Sequence, residues 1–274
     1  MSNTKDLFNI SGKCVAITGG AGVLGGQMAI SLAEAGASVA ILDYNLQGAQ
    51  TVCERIAATG GTAVAVKCNV LETDSVANAV AQTIEQLGRI DVLINGAGGN
   101  KREATCVPPE TFFDMDPEAI KWVFELNCLG TILPSQAAGK HMAERGDGVI
   151  VNISSMSAFT PLTRIAAYSA AKAAVSNFTQ WLAVNLAQNH SADIRVNALA
   201  PGFFLTEQNR FLLTNEDGSP TERGQQIIDH TPMARYGQAD ELVGTLVWLI
   251  SDAAKFVTGI VVPVDGGFSA FSGV

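Results

Sequence analysis

The sequence predicts an α/β fold in which one parallel sheet forms a single domain over residues 1–274. Short, β-branched apolar runs alternate with helix-like patterns along the chain. Two of these runs end in glycine-rich turns, at 19–26 and at 95–99. No internal repeat, low-complexity tract or linker interrupts the alternation, so we expect one domain rather than two.

Composition limits the classes of function. Hydrophobic residues make up 47% of the chain and charged residues 16%, as expected for a globular enzyme. The net charge of −9 argues against nucleic acid or an anionic membrane as a partner. The five cysteines form no Cys-x-x-Cys pair, which predicts reduced thiols and no metal site. Because the sequence has neither a signal-peptide core nor a run of about 20 apolar residues, we expect a cytoplasmic protein.

The first predicted unit is a strand at 13–18, a glycine turn at 19–26 and a helix that continues to Ala35. Glycine allows the backbone to approach a phosphate closely, and the helix N-terminus supplies free N–H groups. The next strand, 38–42, ends in Asp43, whose carboxylate can accept hydrogen bonds from ribose hydroxyls. Neither Arg nor Lys lies in the turn or directly after Asp43, so the pattern favours NAD over NADP.

The alternation continues to the end of the chain. We predict helices at 46–58, 73–87, 117–141, 168–189 and 239–251, and strands at 62–67, 91–94, 149–153, 194–199 and 260–264. The carboxyl ends of parallel strands bind ligands, so the turn after Asn95 joins the same crevice, although Asn95 could equally satisfy its own turn. Asn127 is a poor residue for a helix interior and indicates a functional position or a kink. The stretch 203–232 is expected to be a long loop that serves as a substrate lid.

Tyr168 and Lys172 lie four residues apart, on one face of a predicted helix. A nearby ammonium favours the phenolate, so we expect Lys172 to lower the pKa of Tyr168 and to make it a general acid or base. Ser155 follows a strand and can present its hydroxyl to the same substrate oxygen. An ordinary, partly exposed helix pair is the alternative interpretation, and the other motifs of the chain decide between the two.

Those motifs together resemble the short-chain dehydrogenase/reductase family over nearly the full chain. They are Thr18-Gly-x-x-x-x-x-Gly25, Asp43, Asn95-Gly-Ala-Gly98, Asn127, Ser155, Tyr168-x-x-x-Lys172, Pro201-Gly-x-x-x-Thr206 and Asp265-Gly-Gly267. The resemblance implies a Rossmann-type, doubly wound sheet of seven parallel strands with helices on both faces. It also implies a nicotinamide cofactor and a homotetramer, with interfaces formed by Phe124, Trp181, Leu182, Leu186 and the C-terminal residues 268–274.

By position, the resemblance assigns a catalytic tetrad. Tyr168 would exchange a proton with the substrate oxygen, Ser155 would stabilise that oxygen, Lys172 would bind the nicotinamide ribose, and Asn127 would hold a water. The residues expected to contact NAD are Gly19, Gly22, Val23, Leu24, Gly25, Asp43, Asn69, Val70, Asn95, Ala97, Gly98, Tyr168, Lys172, Pro201, Gly202, Phe204 and Thr206. Two positions depart from the family: Val23 replaces a usual glycine, and Asn69 replaces a frequent Asp.

Cationic and amide side chains surround the expected substrate mouth. Besides Ser155 and Tyr168, the candidates for substrate contact are Lys101, Arg102, Arg164, Asn209 and Arg210. Arginine binds carboxylates through two hydrogen bonds, and amides suit a polyhydroxylated chain, so the set favours a small hydroxylated anion over a steroid or an acyl chain. Solvated loop charges are the alternative for each residue taken alone.

A narrower resemblance concerns the segments 159–163, 201–210 and 261–273, which are similar to the D-mannonate oxidoreductase (fructuronate reductase) branch of the family. It implies interconversion of D-mannonate and D-fructuronate with NAD(H). A dehydrogenase of another sugar or polyol stays open. A 3-oxoacyl reductase and a non-catalytic dinucleotide sensor stay open too, although Asp43 counts against the first and the tetrad against the second.

Overall fold

Seven parallel strands form the centre of the protein, as the computed structural model, which describes residues 4–206, 210 and 212–273, shows. The strands are β1 Cys14–Thr18, β2 Ser38–Asp43, β3 Thr62–Lys67, β4 Val92–Asn95, β5 Gly148–Ile153, β6 Ile194–Pro201 and β7 Val261–Val264. They lie in the order β3-β2-β1-β4-β5-β6-β7, and each neighbouring pair is parallel. The order reverses between β1 and β4, which is where a doubly wound sheet opens a crevice at its carboxyl edge.

Helices cover both faces of this sheet. They are α1 Thr4–Leu7, α2 Val23–Glu34, α3 Leu46–Ala58, α4 Thr73–Leu87, α5 Pro117–Phe124, α6 Gly130–Arg145, α7 Ala166–Asn189, α8 Glu222–His230 and α9 Val243–Ile250. Alternate strand residues point to opposite faces. Val15 and Ile17 pack in one core with α2, α3 and α9, whereas Ala16 packs in the other with α4, α6 and α7. The predicted doubly wound Rossmann-type sheet is therefore confirmed.

The two cores hold the sheet between its helices. Ile17 and Ile41 belong to one core and Leu93 and Ile150 to the other, and each of these side chains is fully buried. Each such burial contributes about 1.5–3 kcal/mol. No helix in the described part of the chain is both long and apolar enough to cross a bilayer.

The predicted long helix at 117–141 is interrupted at Asn127. Helix α5 begins at Pro117, where Asp116 caps it by accepting a hydrogen bond from the N–H of Glu118 at 3.0 Å. A π-helical turn, Glu125–Leu129, then separates α5 from α6. Turns of this kind are frequent at functional sites. The expectation of a kink at Asn127 is thus confirmed, and its functional role stays a prediction.

The stretch 203–232 contains a helix, so the expectation of a structureless loop is wrong. Thr221 caps α8 by accepting a hydrogen bond from the N–H of Gly224 at 3.0 Å. Ile227 of α8 packs in a cluster with Met156, Leu213 and Phe268. This cluster fixes α8 against the segment that follows Ser155, which places the helix beside the expected site.

Part of the expected subunit interface lies inside the protein. Leu182 and Leu186 are buried in the core beneath α7, and Phe268 packs on Phe203 with ring centroids 5.3 Å apart. These three side chains pack inside the protein, where they attach α7 and the C-terminal segment to the rest of the fold. Trp181 differs, since 59% of it is exposed. Val274 lies outside the described residues.

Candidate active site

The two glycine-rich turns pack directly on each other at the carboxyl edge of the sheet. Gly19 has a positive φ of 67°, and a Cβ there would lie 2.8 Å from the backbone of Ala97. Thr18 strengthens the contact, since its hydroxyl accepts a hydrogen bond from the N–H of Ala97 at 3.3 Å. Only glycine fits this close approach. The turns therefore form one cradle at the crevice.

Helix α2 opens into that cradle. Gly22 is its N-cap, in an extended conformation, and no side chain of the described residues caps the helix. Val23 and Leu24 occupy the first turn, and Val23 is 42% exposed. The free N–H groups of a helix N-terminus suit a phosphate anion, so the cradle fits a dinucleotide pyrophosphate although Val23 replaces a glycine. Gly25 packs against the backbone of Gly19, which leaves no space for a side chain there.

Asp43 is fixed at the end of β2 by two backbone amides. Its carboxylate accepts hydrogen bonds from the N–H of Ala21 at 2.9 Å and from the N–H of Asn45 at 2.8 Å. Lys67 is its partner in the β2–β3 register, and the Lys67 Nζ lies 5.7 Å from the centroid of the exposed Tyr44 ring. Sequence reasoning missed this cation, because strand pairing rather than sequence distance brings Lys67 beside Asp43.

The side chain of Asn95 points into the sheet core. Its Nδ2 donates to Ser135 Oγ and to Asn152 Oδ1, both at 2.8 Å, and its Oδ1 has no partner among the described residues. Asn95 thus ties β4 to β5 and α6. Asn69 turns back on its own segment, where its Oδ1 accepts from the N–H of Leu71 at 3.2 Å.

Val70 is 6% exposed, and a Cβ on Gly130 would lie 2.9 Å from its side chain. Val70 therefore packs against the start of α6, just beyond the π-helical turn. Both Asn69 and Val70 follow the carboxyl end of β3, where an adenine-binding segment would lie.

Asn127 faces the second glycine turn from its π-helical turn. Its Nδ2 donates to the carbonyl oxygens of Gly99 and Val123, each at 2.7 Å, and its Oδ1 accepts from the N–H of Gly99 at 3.3 Å. A Cβ on Gly98 would lie 2.7 Å from Asn127 Oδ1 and 3.2 Å from Lys172 Nζ. The structure therefore brings Gly98, Asn127 and Lys172 together, although they come from three separate elements.

Lys172 is buried at the carboxyl end of β5. It is 3% exposed, and its Nζ donates a 2.7 Å hydrogen bond to the carbonyl of Ile153. Burial lowers the pKa of Lys172 to about 8, although the nearby Cys128 acts in the opposite direction. Ser154 anchors the same turn of α7, since its hydroxyl donates to the carbonyl of Lys172 at 3.1 Å.

Tyr168 lies within hydrogen-bonding reach of Ser155, whose hydroxyl also accepts a hydrogen bond from the hydroxyl of Ser157 at 3.0 Å. Burial raises the pKa of Tyr168, and the hydrogen bond with Ser155 lowers it by less. The prediction that the neighbouring Lys172 brings the pKa of Tyr168 below its ordinary value is therefore wrong. The Lys172 Nζ lies 5.6 Å from the centroid of the Tyr168 ring and donates to Ile153, so desolvation of the phenol dominates. At neutral pH Tyr168 is a protonated donor.

The segment after β6 begins by continuing the pairing of that strand with β7. The N–H of Gly202 donates to the carbonyl of Val264 at 2.9 Å, which continues the pairing of Pro201 in β6. Phe204 is 4% exposed and packs against Gly237. The carbonyl of Thr206 accepts from the N–H of Arg210 at 2.8 Å. The phenyl ring of Phe204 thus serves packing in this structure.

The five cationic and amide substrate candidates have different surroundings. Arg102 forms an ion pair with Glu110 at 2.6 Å, and Lys101 Nζ lies 4.3 Å from the centroid of the Trp122 ring. Arg210 is exposed, and Asn209 lies outside the described residues. Arg164 lies two residues before α7 and forms no ion pair within the described ranges 4–206, 210 and 212–273.

Sequence reasoning missed Arg223, whose charge interacts with that of Arg164. Arg223 lies in the stretch that was expected to be a loop. The Thr221 cap and the apolar pair Ile227 and Ile228 were the available signals for a helix there.

Known proteins share this fold and a large part of this sequence. A family model described as enoyl-(acyl carrier protein) reductase matches residues 19–269. The uncharacterized oxidoreductase UxuB of Bacillus subtilis is 48% identical over 97% of this chain and 98% of its own. A 7alpha-hydroxysteroid dehydrogenase of Escherichia coli is 33% identical, with 96% of each chain covered.

Two solved structures add cofactors to the comparison. One, from Haemophilus influenza, carries a provisional assignment as a D-mannonate oxidoreductase and has NAD bound. It is 47% identical, with a TM-score of 0.91 over 97% of this chain and 98% of its own. A gluconate 5-dehydrogenase from Burkholderia cenocepacia, in complex with NADP and tartrate, is 34% identical, with a TM-score of 0.85 over 98% and 99%. The chain belongs to the short-chain dehydrogenase/reductase family of oxidoreductases.

Proposed function

We propose that the protein is an NAD(H)-dependent oxidoreductase that interconverts a secondary alcohol and a ketone on a sugar acid, namely D-mannonate and D-fructuronate. The observation that carries the proposal is the meeting of Tyr168, Ser155, Lys172 and Asn127 beside a glycine cradle. The relative with a provisional D-mannonate assignment and NAD, together with a gluconate 5-dehydrogenase that holds tartrate, supports a sugar-acid substrate.

The tetrad would perform the proton chemistry of this reaction. A bound nicotinamide cofactor supplies or accepts the hydride. Tyr168 is the proton donor during ketone reduction, and the raised pKa of its phenol keeps it protonated for that role. Ser155 hydrogen-bonds the same substrate oxygen and stabilises the negative charge that develops on it.

Two further residues position that pair. Lys172 would hold the nicotinamide ribose with its ammonium group, and Asn127 fixes the Gly98–Gly99 turn beside that group through two hydrogen bonds to Gly99. In the oxidation direction the same groups work in reverse, and Tyr168 accepts the proton of the substrate hydroxyl.

The geometry of Asp43 supports NAD over NADP. Two backbone amides hold its carboxylate at the end of β2, where the adenosine ribose of a bound cofactor would lie. A 2′-phosphate would meet this fixed negative charge at close range. Lys67 is the nearby cation, and its ammonium group lies over the ring of Tyr44 rather than against Asp43.

We also propose that the chain assembles as a homotetramer. The support is a groove of about 790 Å³ between α6 and α7, with Trp181 at its edge. Trp181 stacks on Phe178 with ring centroids 6.3 Å apart, yet it is more than half exposed. An exposed aromatic residue beside an apolar groove suits contact with another copy of the chain.

The variant Tyr168→Phe tests the proposed reaction. We expect it to reduce D-fructuronate at less than about one hundredth of the wild-type rate, since general acid catalysis supplies about 10²–10⁴-fold. Its affinity for NADH, followed by fluorescence titration, should stay within about threefold. Full turnover by this variant would remove the proton-transfer role and with it the assigned site.

A further inference from the structure

One arginine lies in the loop between Ser155 and Tyr168, and a second lies on the helix that packs against this loop. Arg164 lies two residues before α7, and Arg223 lies in the first turn of α8. Arg223 and Ile227 are four residues apart and share one face of α8. Ile227 packs with Met156 and Leu162, which belong to the segment between Ser155 and Arg164. The packing of α8 therefore places Arg223 on the side of the helix that faces residues 156–162.

The two charges act on each other. Burial and the positive charge of Arg164 both lower the pKa of Arg223. A positive charge in the first turn of a helix is also unfavourable, because it opposes the helix dipole. Glu222, the adjacent carboxylate, is exposed and forms no ion pair within the described ranges. The arrangement thus accumulates positive charge that this part of the protein leaves uncompensated.

Several other arginines of the protein are paired with carboxylates. Arg102 is paired with Glu110 and Arg235 with Glu241, each at 2.6 Å. Arg89 and Arg145 share the carboxylate of Asp91, each at 2.8 Å. For Arg164 and Arg223, by contrast, no carboxylate of the described residues lies within ion-pair distance. Two neighbouring guanidinium groups without a carboxylate are suited to bind one from a ligand.

We propose that Arg164 and Arg223 together bind the carboxylate of the sugar-acid substrate, with Arg223 as a specificity-determining residue contributed by α8. This inference rests on the proposed function. Met156 directly follows Ser155, and Arg164 precedes Tyr168 by four residues, so the carboxylate would be held beside the reacting oxygen. The pair would select a hydroxylated acid against a neutral ketose or polyol of the same length.

The test compares Arg223→Gln and Arg164→Gln with a matched control, Arg55→Gln, which removes an exposed arginine on α3. We expect each of the first two variants to raise KM for D-fructuronate about 10- to 100-fold, because a charge-assisted contact is lost. KM for neutral D-fructose and the affinity for NADH should stay within about threefold. Arg55→Gln should match the wild type throughout.

Two further variants sharpen the test. If both arginines hold one carboxylate, the double variant should raise KM by less than the product of the single effects. Arg223→Lys should recover only part of the loss, because lysine cannot form the two parallel hydrogen bonds. Thermal melts of all variants establish that they are folded, and Arg164→Gln, which lies outside any helix, keeps the test valid if Arg223→Gln is unstable.

An unchanged KM for D-fructuronate in folded Arg223→Gln would overturn the inference and leave the proposed function standing. If the wild type reduces no sugar acid, the proposed function fails instead. The arginine pair is then tested by calorimetric titration with D-gluconate. Binding by the wild type that Arg223→Gln loses would support the pair. Equal binding by both proteins, or binding by neither, would overturn it.

Discussion

The substitution Gly98→Ala tests whether the second glycine turn must lie against Asn127 and Lys172. The added methyl would lie 2.7 Å from Asn127 Oδ1, whereas ordinary contact begins at 3.4 Å, so one group must move by about 0.7 Å. Asn127 cannot retreat freely, because three hydrogen bonds hold its amide to Gly99 and Val123. Each such bond contributes about 1 kcal/mol, and a displacement of about 1 Å can reduce turnover about 10²-fold.

We therefore expect Gly98→Ala to lower kcat for D-fructuronate about 10- to 100-fold and to lower the melting temperature by a few degrees. The matched control is Gly99→Ala, whose methyl would meet Leu126 at 3.7 Å, an ordinary contact, so that kcat should stay within about twofold. Steady-state kinetics and thermal unfolding of both variants measure these effects. If Gly98→Ala kept the wild-type kcat, the Gly98–Asn127–Lys172 contact would have no catalytic role.

Two further predictions concern Lys172 and Trp181. The folded-state pKa of Lys172 is about 8, below its ordinary value of 10.5, so its burial costs stability below pH 8 and the cost disappears as the pH rises toward 10.5. Lys172→Met should abolish turnover yet raise the free energy of unfolding at pH 7 by about 2 kcal/mol, with a smaller gain at pH 10. Urea titrations at both pH values measure this gain, with Lys121→Met on α5 as the exposed control. An equal gain in the free energy of unfolding at pH 7 and at pH 10 would contradict a lowered pKa of Lys172. Light scattering of the wild type should give the mass of four chains and that of Trp181→Glu a smaller mass; an unchanged mass would show that Trp181 lies outside the interface.

Much of the fold followed from the sequence, because local signals there agree with the packing. The predicted bounds of α3, β3 and α4 match the structure. Asn45 caps α3 through the N–H of Gly48, and Gly88 ends α4 with a φ of 84°. Here capping residues coincide with changes of hydrophobic period, so sequence and structure give the same boundaries.

The sequence predicted several residues that lie together in the structure, but not the electrostatics around them. The Arg102–Glu110 pair and the position of Lys67 beside Asp43 depend on loop and strand pairing that a sequence does not encode locally. The pKa of Tyr168 depends on burial, which exceeds the effect of any neighbour. The helix α8 within the stretch 203–232 was not predicted, because a helix of nine residues gives a weak periodic signal.

Initial rates of D-fructuronate reduction, measured with NADH and with NADPH, test the proposed function. We expect rapid turnover that prefers NADH, because the carboxylate of Asp43 is fixed where a 2′-phosphate would lie. D-Fructose should react far more slowly, since it lacks the carboxylate that the arginines would bind. A preference for NADPH would contradict the role of Asp43, and turnover of neutral ketoses alone would contradict the sugar-acid function.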